Sequence, residues 1–425
     1  MDDLLAVGGS LTFILGVAGL FFLKDAKGVE WYRSYAGFFL CWALIGKGLA
    51  NLFRAPGFSA DYWRILAYMG SFSDMVFGAF MLIFVLIFPT PLMRSRRQFF
   101  LCIWVVLVME TILFSLSFVE GSAGKWYRGI SYYTICGFIW TFIYFKFRYT
   151  HPDKRTEKTE NIADAALLMC LFFFGHIWFR WVGFWTQSDY FYFMSISSVD
   201  GGANFMWSQA LAASIIVGVA MFASELYLTS QGRTRKVAFI LYAYIALGFI
   251  NHLILKDTSV ITVAGGGQAV NLGSDYTDFM VVWNALTAQT HFTLMRPMIC
   301  LYILFKFDLV NLQSRNDKTT KLVAIILIVV MTSALLELLQ SVLPISELVS
   351  ASLLAVVIAF GIGWEEKSFA NLTSNPNEFP VDTHPELYPQ LDLDLADHST
   401  RLNIGFSMMV GFLLLVSFVL HMIRY

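Results

Sequence analysis

Charge is scarce in this chain of 425 residues: Asp, Glu, Lys and Arg together make up 14% of it, against about 25% in soluble domains. What charge there is nearly cancels, to a net value of -1, so no bulk field points to nucleic acid. The five cysteines (Cys41, Cys102, Cys136, Cys170, Cys300) all lie inside apolar runs and none in a loop. That placement argues against a disulfide framework, and their spacing matches no zinc motif. The start, "MDDLLAVGG", is acidic and lacks the basic n-region of a cleavable signal peptide. Also missing are HExxH, kinase and Walker signatures, a nucleophile motif, and a pair of acids on a long first outer loop. An enzyme is therefore the weakest class.

What fills the chain is apolar: 57% hydrophobic residues, with 41 Phe, 18 Tyr and 12 Trp, and a mean hydropathy of +0.64. A membrane-spanning helix needs about 20 such residues. Twelve stretches meet that need: 4–23, 34–54, 62–88, 98–119, 127–147, 162–186, 204–229, 237–256, 277–305, 321–342, 347–364 and 403–422. Most are apolar all round, as lipid-embedded helices are. The expected fold is an all-α polytopic integral membrane protein, multi-pass in the cell (plasma) membrane, with the lipid bilayer as its main partner.

The loops set an orientation. Residues 89–97, "PTPLMRSRR", carry three arginines, 146–158 carry Lys146, Arg148, Lys154, Arg155 and Lys158, "GRTRK" carries three basic residues and 306–321 four. Loops 187–203 and 343–346 carry none. The positive-inside rule then puts both termini outside. Trp31, Trp63, Trp126, Trp178, Trp181, Trp185 and Trp207 mostly fall near span ends, where indoles favour the interface. Three regions follow: five helices in residues 1–159, four in residues 160–311, and three in residues 312–425 with an acidic cytoplasmic loop 365–402. That loop holds Asp392, Asp394, Asp397 and His398, a solvated linker sooner than a cation site. The outer loop 257–276 reads as a β-hairpin around Gly265, Gly266 and Gly267.

A shift of 76 residues lays "FFFGHIWFR" (172–180) on "GFINHLILK" (248–256), His176 on His252 and Arg180 on Lys256. Both outer loops that follow contain Ser-Asp-Tyr (188–190 and 274–276) and adjacent glycines. This reads as a tandem, parallel two-helix repeat, 160–235 and 236–311. In each copy the histidine and the cation stand at i and i+4, on one helix face. Arg180 and Lys256 then snorkel toward headgroups, and each histidine is held neutral by its cation. With His291, three histidines on three helices form the one candidate set for haem or a metal. No second histidine at ligand spacing and no carboxylate at i+3 or i+4 accompanies them, so no metal ligand is assigned.

Lys47, Asp74 and Glu110 lie deep in spans two, three and four, where charges face the bundle and pair. Lys47 and Asp74 differ in depth by about 8 Å at 1.5 Å per residue, so a long lysine side chain can reach the aspartate. Arg296 with Pro297 is expected to kink span nine, while Glu225 and Glu337 sit near interfaces. The candidate ligand or ion-path residues are thus Lys47, Asp74, Glu110, His176, Arg180, His252, Lys256 and His291.

Two stretches carry a resemblance. Residues 1–97 run from an outer N-terminus through "KDAKG" to "FPTPLMRSRR". Residues 204–311 end in "MRPMICLYILFKFDL", with Phe305, Lys306, Phe307 and Asp308 forming an aromatic–basic–aromatic–Asp string. Together they resemble the seven-helix membrane sensor region of histidine kinases, without its exact spacing, with extra helices and with no phosphoacceptor or ATP-binding domain. The resemblance implies a sensor whose output passes to a separate signalling or complex subunit. A non-enzymatic sensor, receptor or scaffold with an outward-facing cavity is the first expectation. A twelve-helix transporter of a small solute or ion is the second, and a haem- or metal-binding redox protein the third.

Overall fold

Glycine on facing helices is where the architecture starts. A computed structural model describes residues 2–23, 31–54, 63–89, 91–119, 125–178, 202–255 and 291–310, and a few positions between 400 and 415. The first two helices, α1 (Asp2–Phe21) and α2 (Trp31–Arg54), pack almost backbone to backbone. A Cβ on Gly16 would sit 2.7 Å from the Cys41 carbonyl, and one on Gly48 2.5 Å from the Phe13 amide. Lipid gives apolar helices no hydrophobic reason to associate, so such close approach and its dispersion energy do that work.

The chain continues through α3 (Trp63–Ile87), α4 (Arg96–Val119) and α5, which runs in three consecutive pieces: Lys125–Tyr127, a π turn Arg128–Cys136, and Gly137–Arg148. After a 3-10 turn at Pro152–Lys154 come α6 (Glu157–Trp178), α7 (Gly202–Ser230) and α8 (Lys236–Leu255). Last is α9, a π turn His291–Met295 leading into Arg296–Lys306. The described residues are all-helical apart from one isolated bridge, Leu23 to Val310.

Five helices among the described residues are long and apolar enough to cross a membrane: Trp31–Phe53, Tyr68–Ile87, Arg96–Leu116, Thr159–Trp178 and Ala213–Ser230. This is a helical membrane protein. The expected spans 321–342 and 347–364, nearly all of 403–422, and the loops 187–203, 257–276 and 365–402 lie outside the described residues.

The helices divide by burial. Leu101, Trp104, Val105, Val108 and Ile112 on α4, and Ile216, Val219 and Tyr227 on α7, are exposed, an apolar surface suited to lipid. By contrast, every residue from Thr159 to Trp178 is buried, so α6 is the hub. It opens on a reciprocal cap: the Thr159 amide donates to the Thr156 hydroxyl (3.3 Å) and the Thr156 amide to the Thr159 hydroxyl (3.0 Å). Glu157 and Glu160 in its first turn complement the helix dipole.

Two helix ends share one closing device. After α7, Gly232 takes φ +75° and the Arg233 amide reaches back to the Leu228 carbonyl at 2.9 Å. After α9, Asp308 takes φ 53° and the Leu309 amide reaches Leu304 at 3.0 Å. The Phe305–Asp308 string is therefore a helix stop. It docks on the first helices: Asp308 faces Arg33 at 3.6 Å, and Phe307 stacks edge-on against Phe88 at 5.2 Å. Those contacts and the Leu23–Val310 bridge bring the ends of α1, α3 and α9 and the start of α2 to one face.

Two of the seven tryptophans are corrected. Trp31 and Trp178 are fully buried and do not anchor an interface. Trp31 meets Tyr32, Tyr35 and Phe99 edge-on, and the Trp178 indole donates to the Ser214 carbonyl at 2.9 Å. The cysteines are free; Cys41, Cys136, Cys170 and Cys300 are buried.

Candidate functional site

Asp74 is fully buried on α3 and collects two cations. Lys47 Nζ lies 2.7 Å from Oδ1, and Arg128 places Nη2 2.6 Å and Nε 2.7 Å from Oδ2. The expected Lys47–Asp74 pair exists, and Arg128 completes it from α5. Tyr132 donates its hydroxyl to the Asp74 backbone carbonyl, and Tyr127 to the Ser71 carbonyl at 3.2 Å. Arg128 escapes a reading of the sequence because it stands just inside the span 127–147, where a cation passes for an interface residue. Glu110, from α4, is fully buried near this centre but outside its ion pairs.

The second group lies around the end of α6. Tyr133 and the His176 Nε2 are 3.0 Å apart; Tyr244 and the His291 Nδ1 are 2.9 Å apart. The two imidazoles face each other with ring centroids 5.8 Å apart, and Phe292 packs against both. Gly175 makes this possible: a Cβ there would lie 2.7 Å from the Tyr244 ring and 2.8 Å from His291. Of the three histidines, His176 and His291 are brought together. The side chains of His252, Arg180 and Lys256 lie outside the described residues, and so does any test of the i, i+4 pairing.

The cation that is seen beside the histidines is Arg296. Its Nε donates to the Phe172 carbonyl at 2.8 Å, and its guanidinium lies over the rings of Phe172 (5.0 Å) and Phe292 (4.6 Å). Thus each member of "FFFGH" has a use. Phe172 holds Arg296, Phe173 packs on Tyr132, Phe174 stacks on Tyr133, Gly175 leaves room, and His176 joins Tyr133.

Both groups rest on π turns. In α9 the cause is Pro297, whose missing N–H breaks the i to i−4 ladder just where Arg296 turns inward. A π turn, His291–Met295, stands directly before Arg296–Pro297, where the sequence predicts a kink. In α5 the Thr134 hydroxyl takes up the Gly129 carbonyl at 2.7 Å. The wider turn lets consecutive residues serve both groups, Tyr132 reaching Asp74 and Tyr133 reaching His176.

A third cluster occupies the other end of α6. Arg148 is 1% exposed and forks onto Glu225, with Nε to Oε1 and Nη2 to Oε2 both at 2.9 Å. Its Nη1 meets Glu160. Arg233 also reaches Glu160 (2.7 Å), and Arg235 meets Asp164 (2.7 Å) and Asn161 (2.8 Å). Tyr144 donates to Glu225 at 2.5 Å. Burial alone would lower the pKa of Arg235, but the hydrogen bonds and charge of Asp164 outweigh it and raise it. Glu225, expected near a membrane interface, is also a buried partner of these arginines. The signal was available, since an acid near one helix end and arginines in two basic loops invite pairing.

Among the described residues no group of three or more His, Cys, Asp or Glu side chains could hold a metal ion. No family model, curated protein or solved structure matches the chain.

Proposed function

We propose that this protein is a non-enzymatic membrane sensor or receptor that takes a small ligand beside His176 and His291 and relays its presence along α6. The observation that carries the reading is α6 itself. Buried from Thr159 to Trp178, it holds the histidine–tyrosine group near one end and the Arg148–Glu160–Glu225 network at the other, about 24 Å apart at 1.5 Å per residue between Glu160 and His176. A displacement at either end is felt at the other because a close-packed helix moves as a unit. With the basic loops inside and both termini outside, the histidine group belongs to the outer half and the ion network to the cytoplasmic surface. The resemblance of the chain to the sensor region of histidine kinases adds to this reading, and a separate subunit would receive the output.

A second reading, transport of a small solute or ion, is favoured by one observation: the Lys47–Asp74–Arg128 centre inside the membrane, a setting that marks ion paths in pumps and transporters.

The test is a thermal-shift screen of small solutes on the purified protein, with a fluorine label at His151→Cys in the exposed loop before α6. The expected result is a solute that raises the melting temperature and shifts the label's resonance, both lost in His176→Ala. Uptake of that solute into proteoliposomes would overturn the sensor reading in favour of transport. Stabilisation with an unmoved label would overturn the relay.

A further inference from the structure

Among the described residues, Glu110 is a buried carboxyl that none of the three clusters uses. It stands on the inward side of α4 with no exposed surface, and no described residue hydrogen-bonds either carboxyl oxygen. The Ser131 hydroxyl, also fully buried, faces it from the π turn of α5 without closing a hydrogen bond. The elements packed here are α3 and the first half of α5. Their described titratable groups nearest this level are Tyr68 and Asp74 on α3, and Tyr127, Arg128, Tyr132, Tyr133 and Cys136 on α5. Tyr132 and Cys136 lie within electrostatic reach of Glu110. Neither cation of this region is turned to it, because Lys47 and Arg128 both close on Asp74. The Tyr132 hydroxyl is committed to the Asp74 carbonyl.

We propose that Glu110 is an intramembrane proton-binding site, occupied in the resting protein as the neutral acid. An ionised carboxylate needs water, a cation or several donors, and an apolar interior without them penalises the charge so heavily that neutralisation wins. A hard metal cation is the poorer occupant. It asks for six or more oxygens, and this place offers two from Glu110 and one from Ser131. The step is simple proton exchange: a carboxylate oxygen takes a proton that comes from, and returns to, bulk water. Ionising Glu110 would set a second negative charge close to the Asp74 centre, so the site is a switch able to loosen Lys47 and Arg128.

Infrared spectroscopy of the protein in nanodiscs reads the proton directly. The expected result at pH 7 is a carboxylic-acid carbonyl absorption in the wild type that disappears in Glu110→Gln and persists in Asp74→Asn. A wild-type spectrum identical to that of Glu110→Gln in this region would overturn the proposal. Should Glu110→Gln fail to fold, the wild type itself decides. A hydrophobic carbodiimide reacts with protonated carboxyls from the lipid side, where an apolar groove of about 410 Å3 opens on the outward face of α4 beside Met109 and Leu113. An adduct mapped to Glu110 that fades at alkaline pH supports the site. A wild type with no carboxylic-acid carbonyl absorption at pH 7 sinks it.

Discussion

The two ends of α6 hold polar side chains by different physics. At one end Arg148, Arg233 and Arg235 face Glu160, Asp164 and Glu225, three charges of each sign in a network whose central arginine is sealed from solvent. At the other, His176 and His291 meet tyrosine hydroxyls and aromatic rings, and their cation Arg296 is satisfied by a carbonyl and two ring faces. A buried ion network is costly to break but poor at adapting, since removing one member strands its partner. Single imidazole–hydroxyl hydrogen bonds between two π turns cost less to exchange than buried ion pairs. The comparison teaches that one end is held by paired charges and the other by single hydrogen bonds and ring contacts.

Substitutions test that contrast. Glu225→Ala strands the Arg148 guanidinium and is expected to cost about 3–5 kcal/mol, read as a large fall in melting temperature in detergent. A loss below about 1 kcal/mol would remove the ion network from the comparison. Gly175→Ala drives a methyl into Tyr244 and His291, so about 1–3 kcal/mol of overpacking strain is expected. A neutral result would mean that the two rings can move apart. Tyr133→Phe removes one hydrogen bond to His176, with an expected loss of about 1 kcal/mol and a changed imidazole signal in NMR. Smallest is Thr156→Ala, which removes half of the reciprocal cap of α6 and is expected at the low end of capping losses, about 0.5 kcal/mol. Combined with Glu225→Ala, its loss should be less than additive if the cap and the network act as one unit.

Much of the frame was legible beforehand. Nine of the twelve expected spans coincide wholly or partly with described helices, because long apolar runs in a charge-poor chain leave few other structures open. Lys47 and Asp74 were legible as a pair because depth along two neighbouring helices restricts which charges can meet. Arg128, Arg296 and the tyrosines were not. In a chain with 18 Tyr and 41 Phe, a hydroxyl that bonds a histidine looks like any other aromatic filler. The partners are also 43 to 124 residues apart, beyond any helical periodicity.

By itself, then, the sequence determined the solvent and the helical character of this protein, because backbone amides in lipid must be satisfied within each segment. It also determined that the few intramembrane charges would turn inward. Only the tertiary structure decided which ones meet. Helix packing, close contact at Gly16, Gly48 and Gly175, and two π turns set distances of a few ångströms between residues far apart in the chain. Hydrogen bonds and ion pairs are decided at that scale.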